Sequence, residues 1–283
     1  MISLSRGESR IEQIKAGTFK WVNFKLIKST AIGVAQTIDL RLINFYVKHF
    51  VNNNSGDVVK QAPLYYVVLE SLLDLGGYNL PSVVEIGIGQ THINLSINLE
   101  KFIQLVGNDY LEVYANSLET SSASTYTIGI TIPKVVGVMD SRPTIDLIQV
   151  QNGVQIRTEY LGSDIERIVL VSATDNLTSV AITSDSLNTV LSDADVFAQS
   201  IEFVGLAPES MDTTSMLGRV IFDGTKHADQ VELKEVSLEM NFDAAVTGSY
   251  LVVRRNVTSK RLMNHGNSLR DKHFNKKMAN KPN

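Results

Sequence analysis

The sequence predicts a mainly β protein in two consecutive halves, each about the size of an eight-stranded sandwich. Three observations predict it. Apolar and polar residues alternate over much of the chain, helical spacing is confined to three short segments, and a stretch bracketed by Pro133 and Pro143 divides the chain near its middle. Proline lacks a backbone donor and interrupts any ladder, so that stretch marks a boundary. With 283 residues, 43% of them apolar, the chain is long enough to bury a core.

In chain order, Ile38, Leu40 and Leu42 alternate with polar neighbours and read as a strand. Leu69, Leu72, Leu73 and Leu75 have helical spacing and stop at Gly76-Gly77, a C-cap signal. Val84, Ile86 and Ile88 return to period two, as do Ile93, Leu95, Ile97 and Leu99, with Asn94, Ser96 and Asn98 between them. Leu99, Phe102, Ile103 and Val106 in LEKFIQLVG predict a second short helix, and Tyr126, Ile128, Ile130 and Ile132 close the first half as a strand. In the second half, Ile168 and Leu170, then Val180 and Ile182, predict strands. Ser186 is placed to cap a helix over LNTVLSDADVF, with Leu187, Val190 and Leu191 as its stripe. Ile201 and Phe203, and then Val236, Leu238, Met240 and Phe242, complete the strands. The expected organisation is an N-terminal unit over 1–133, a linker over 134–143, a C-terminal unit over 144–256 and a basic arm over 257–283.

Charge is distributed unevenly. From Arg254 onward there are nine Lys or Arg and one acid, whereas the preceding residues carry 17 basic and 29 acidic side chains, giving a body near −12 and a tail near +8. Arg254, Arg255, Lys260, Arg261, Arg270, Lys272, Lys276, Lys277 and Lys281 are interleaved with polar residues and lack an apolar stripe. That composition predicts an arm disordered when free, which contacts a polyanion or an anionic membrane through its charge. No recognition element for reading bases is visible. Arg6, Arg10, Lys15 and Lys20 add basic charge near the other end.

Signals for catalysis are absent. There is no cysteine, and the five histidines, His49, His92, His227, His265 and His273, stand in no metal-ligand spacing. Gly87-Ile88-Gly89 begins like a dinucleotide fingerprint but has His92 at the third glycine position and no βαβ context. Asp193 and Asp195 have the chemistry of calcium ligands, yet two carboxylates do not make a site. The polar opening SLSRGESRIEQIKAG lacks the apolar run of a secretory signal, and no stretch has the length of a membrane span, so synthesis in a cytoplasm is expected.

The order of elements in the second half carries a resemblance. ERIVLVSAT, SVAITSDSLNTVLSDADVF and MLGRVIFDGTKHADQVELKEVSLEMNFDAAVTGSYLVVRR give strands, a turn into a helix, a long loop and closing strands. This resembles the second barrel of the double jelly-roll major capsid proteins of tailless icosahedral bacteriophages, in particular the corticovirus-like type. AGTFKWVNFKL and QTIDLRL look similar to the opening strands of the first barrel, and LEVYANSL and TYTIGITI to its closing strands.

The resemblance implies two consecutive eight-stranded jelly-roll barrels with a few short helices. It also implies a structural, non-enzymatic virion protein that self-assembles as pseudo-hexameric homotrimers into an icosahedral shell. Its partners would be further copies of itself, minor capsid proteins, and an internal membrane or genome contacted by inward-facing termini. No cofactor is implied apart from calcium, which has been associated with some relatives and draws attention to Asp193 and Asp195. Contacts between capsomers are expected from the polar loops Asn52 to Gly56 and Glu119 to Ser124. The competing readings are another virion or surface sandwich (a vertex, tail or carbohydrate-binding adhesin protein) and an enzyme on a β scaffold.

Overall fold

The computed structural model describes residues 2–4, 9–30, 38–51, 54–73, 84–87, 89–118, 124–133, 135, 141–172, 176–204, 217–224, 232–246 and 248–258. The first half contains strands β1 (Ile2–Leu4), β2 (Ser9–Ile14), β3 (Gly17–Thr30), β4 (Ile43–Val51) and β5 (Asn54–Pro63). Helix α1 (Leu64–Leu73) follows, then β6 (Val84–Gly87), β7 (Gln90–Leu105), β8 (Tyr110–Ser117) and β9 (Ser124–Thr131). The second half contains β10 (Ser141–Gln149), β11 (Ile156–Gly162), β12 (Ile165–Ser172), β13 (Leu177–Thr183) and β14 (Asn188–Ser192). Helix α2 (Asp193–Val204) leads to β15 (Leu217–Asp223), β16 (Val236–Phe242) and β17 (Tyr250–Thr258).

The same permutation is used twice. With β6 set aside as an added edge, the first half has eight strands, arranged as β1-β9-β3-β7 and β2-β8-β4-β5. The second is arranged as β10-β17-β12-β15 and β11-β16-β13-β14. Numbered within each half, both read 1-8-3-6 and 2-7-4-5, and the helix falls between strands five and six in both. Two four-stranded sheets with this order are a jelly roll. The internal repeat, too divergent to see as sequence identity, is therefore explicit in the topology.

The halves share a sheet. Sheet 2-7-4-5 of the first half and sheet 1-8-3-6 of the second form one eight-stranded sheet, β15-β12-β17-β10-β5-β4-β8-β2. They join where β5 and β10 run parallel, with Ile145 opposite Val59. The second half begins its first strand at Ser141, inside the stretch expected as a linker, and Pro143 stands opposite Asn256 of β17. That proline precedes the contact with β5, where a missing donor costs no ladder bond.

Two apolar clusters result. One holds the inward residues of the first half, such as Phe24, Phe45, Leu95 and Val113, together with Val169, Val171, Val220 and Val252 from the second. The other holds Ile168, Leu170, Val180, Leu238 and Met240. Strand β12 is consequently buried on both faces, which its sequence IERIVLVS reflects.

Several expected elements differ. LEKFIQLVG supplies the end of β7, which runs to Leu105: after a register shift beyond Trp21↔Asn98, pairing with β3 resumes at Phe19↔Ile103 and continues to Gly17↔Leu105. Leu40–Leu42 form a 3-10 turn capped by the Asp39 side chain, which accepts from Arg41 N, so Ile38, Leu40 and Leu42 are not a strand. The helix in the second half starts at Asp193, five residues after strand β14 takes up Asn188. Leu187, Val190 and Leu191 are thereby no helical stripe, and Ile201 and Phe203 belong to α2. The helix expected around Leu69 is present as α1. Ile88 and Leu75 lie outside the described residues.

Candidate functional site

The chemistry concentrated at the junction of the halves is electrostatic. Glu70 projects from α1, whose residues Leu64 to Ser71 are all buried because the first barrel lies on one side and the second on the other. Both Glu70 oxygens are used. Arg254 donates to them from Nε at 2.6 Å and from Nη2, and Arg167 Nη1 donates to Oε1 at 3.0 Å. Arg254 Nη2 also donates to the Asn98 carbonyl at 3.0 Å, and Arg167 Nε donates to Asp223 Oδ2 at 3.0 Å. The four side chains are at most 3% exposed and sum to zero formal charge. Charges taken out of water persist only when paired and hydrogen-bonded, and this cluster meets both conditions.

A second bridge lies where the sheets join. Asp146 of β10 accepts from Lys60 Nζ of β5 at 2.9 Å and from Arg255 Nε of β17 at 3.0 Å, and Arg255 Nη1 reaches the Ser163 carbonyl. Thr144 donates to the Asp57 carbonyl across the same seam. Tyr66 of α1 packs against Tyr250 of β17 with ring centroids 4.5 Å apart. The two barrels are thus locked by paired charge, by rings and by a shared core.

These contacts correct two of the expected polyanion contacts. Arg254 is fully buried on Glu70, and Arg255 is mostly buried on Asp146, so both are internal fasteners and their guanidinium donors face protein carboxylates. Strand β17 runs to Thr258, opposite Ser141 of β10. Lys260, Arg261, Arg270, Lys272, Lys276, Lys277 and Lys281 lie outside the described residues. Sequence reasoning missed Glu70 because an acid in an apolar helix looks like a solvated position. The signal that was present is a lone charge in LYYVVLESLL, a segment otherwise apolar apart from Ser71 and two tyrosine hydroxyls.

The carboxylates considered for calcium are used locally. Asp195 accepts from Ser192 N at 2.9 Å and from Ser192 Oγ at 2.7 Å, a reciprocal cap that holds its carboxyl below the usual range. Asp193 lies 3.7 Å from Arg219 Nε. Among the described residues no group of three or more His, Asp or Glu is arranged to hold a metal ion. No helix among them is long and apolar enough to cross a membrane.

An aromatic platform lies on the outward face of β4 and β8. Tyr46 stacks on Tyr114 at 4.6 Å and Phe50 on Tyr110 at 4.5 Å, with Lys48 over the Tyr46 ring and Tyr46 donating to Glu112 at 2.8 Å. Burial, followed by the bond to Glu112, pushes the Tyr46 phenol up to about 12. Of the loops expected at contacts between capsomers, 52–53 and 119–123 lie outside the described residues.

No family model matches the chain, and no curated protein sequence matches it. Solved structures do. The major capsid protein of Bacteriophage PM2 aligns over 90% of this chain and 93% of its own at 11% identity, with a TM-score of 0.54. A chain from the atomic structure of Sulfolobus Turreted Icosahedral Virus aligns over 90% of this chain and 88% of its own at 12% identity, with a TM-score of 0.58. Both alignments cover nine-tenths of this chain. With the doubled 1-8-3-6 and 2-7-4-5 order, they identify the fold of this chain as that of the double jelly-roll major capsid proteins.

Proposed function

We propose that the chain is a major capsid protein, a structural and non-catalytic subunit that assembles as homotrimers into the icosahedral shell of a virion. The observation that carries this reading is the pair of jelly rolls fastened into one body by the Glu70 cluster and a continuous sheet. A body of six-fold pseudo-symmetric capsomers needs two similar barrels at a fixed angle, and a shared sheet with buried charge pairs supplies that rigidity. Such a subunit needs no active site. The acidic body repels its own kind in solution, and the basic arm gathers copies on a polyanion, raising their local concentration.

The basic arm follows β17, whose last residue, Thr258, stands opposite Ser141 at the start of β10. In this reading it faces the interior and contacts phosphate, either of lipid head groups or of the genome, after synthesis in the host cytoplasm. Electron microscopy of the concentrated full chain tests the reading. Closed shells or hexagonally packed sheets are expected, and a field of single particles the size of one chain under all salt conditions contradicts it.

A further inference from the structure

A small depression lies at one end of the shared sheet, and we propose that it binds a single uncharged pyranose ring, either of a free saccharide or of a glycolipid head group. Gln13, Lys15, Gly107, Asn108, Asp109 and Tyr110 line it, and its volume is about 320 Å³, at the small end of the roughly 300–1,000 Å³ usual for ligand sites. It is complete within one chain, so its binding is separable from shell assembly.

The strand register places each wall. Strand β2 pairs with β8 through Gln13↔Glu112 and ends at Ile14↔Leu111. Side chains alternate between faces, so Gln13 stands on the same outward face as Glu112 and Tyr110. Tyr110 stacks on Phe50 of β4, with ring planes 6° apart and centroids at 4.5 Å. Tyr110 lines the depression and Phe50 does not, so the depression borders the other face of the Tyr110 ring, over the end of β2. The turn between β7 and β8 closes the remaining side. Asp109 N donates to the Val106 carbonyl at 3.2 Å and Asp109 Oδ2 accepts from Val106 N at 3.3 Å. Gly107 within that turn has φ +64°, a conformation that two-residue hairpin loops reserve for glycine. A Cβ there would meet nothing within 4 Å, so the space above the turn is open.

The chemistry is that of a sugar site. The face of an aromatic ring is negative and accepts the C–H side of a pyranose. The amides of Gln13 and Asn108, both exposed, each offer donors and an acceptor to neighbouring hydroxyls, and Lys15 adds further donors. Asp109 is buried in its turn, and together with Lys15 it brings the formal charge of the lining to zero. On a body near −12, a lining without net charge favours an uncharged ring over a nucleotide. Strand β17 finishes at the same end of the sheet: Val51↔Asn54 closes the β4–β5 hairpin there, β10 runs parallel to β5, and Ser141 at its start stands opposite Thr258. A glycolipid in a surface reached by the basic arm would be met from this side.

Saturation-transfer difference NMR on the full chain tests the proposal. The probes are the methyl glycosides of glucose, galactose, mannose and N-acetylglucosamine, with adenosine monophosphate as the charged comparison. Transfer to the ring protons of at least one glycoside is expected, and its loss in Tyr110→Leu and in Gln13→Ala/Asn108→Ala. The second variant alters only exposed side chains and is expected to keep the circular dichroism and unfolding midpoint of the parent. It decides the case if Tyr110→Leu, deprived of the stack on Phe50, fails to fold. Co-sedimentation with phosphatidylcholine vesicles, which offer the basic arm no net charge, separates the two sources. Retention that requires added glucosyl diacylglycerol assigns the site to a glycolipid head group, and transfer to glycosides without such retention assigns it to a free saccharide. No transfer to any glycoside, transfer to adenosine monophosphate alone, or transfer undiminished in Gln13→Ala/Asn108→Ala overturns the proposal.

Discussion

Glu70 is where the fold is most sensitive to a single atom. Its carboxylate neutralises Arg167 and Arg254 in a place without water, so Glu70→Ala leaves two guanidinium groups buried beside one acid. Removing one partner of a buried pair costs about 3–5 kcal/mol, and urea unfolding is expected to show a loss of that size. Lys25→Ala, at an exposed position, is expected to change stability by less than about 0.5 kcal/mol. Tyr46 gives a pH signature. Its folded-state value is raised above the ordinary 10 to about 12, so its contribution is complete below pH 10 and is lost as pH rises toward 12. The stability lost by the parent chain between pH 9 and 11.5 is therefore expected to exceed that lost by Tyr46→Phe, as measured by denaturant unfolding at each pH.

At the scale of elements, the α2 cap is the clearest local commitment. Ser192 and Asp195 satisfy each other's groups at the helix start, and Ser192→Ala is expected to cost about 1 kcal/mol, read as a shift in the urea midpoint. Period two was legible wherever one face is wet, as in β7, β9, β13 and β16. It misled where spacing fits two patterns. Leu99, Phe102, Ile103 and Val106 satisfy a helical template, but the ladder with β3 decides the matter in favour of a strand. Leu187, Val190 and Leu191 likewise fit a helix, and pairing of β14 with β13 overrides it. The junction was illegible for a physical reason. Glu70, Arg167, Asp223 and Arg254 are far apart in the chain, and nothing in local spacing says that four charges converge. Arg254 instead looked like the first residue of a basic tail, because burial is not written in composition.

For the whole molecule, the shared sheet makes the halves interdependent. A fragment of residues 141–258 exposes Val169, Val171, Val220 and Val252 and deprives Arg254 of Glu70, so it is expected to aggregate or remain unfolded by circular dichroism and sedimentation. Removing residues 259–283 touches none of these contacts, and the shortened chain is expected to fold and trimerise while losing retention on anionic vesicles or DNA at low salt. As the proposed capsid subunit, the double barrel is the unit that tiles a shell, and sedimentation of the purified full chain at low and high salt checks this. A stable three-copy particle that persists as salt rises and grows into larger assemblies with concentration is expected, whereas a single-copy species under every condition would contradict the capsid role.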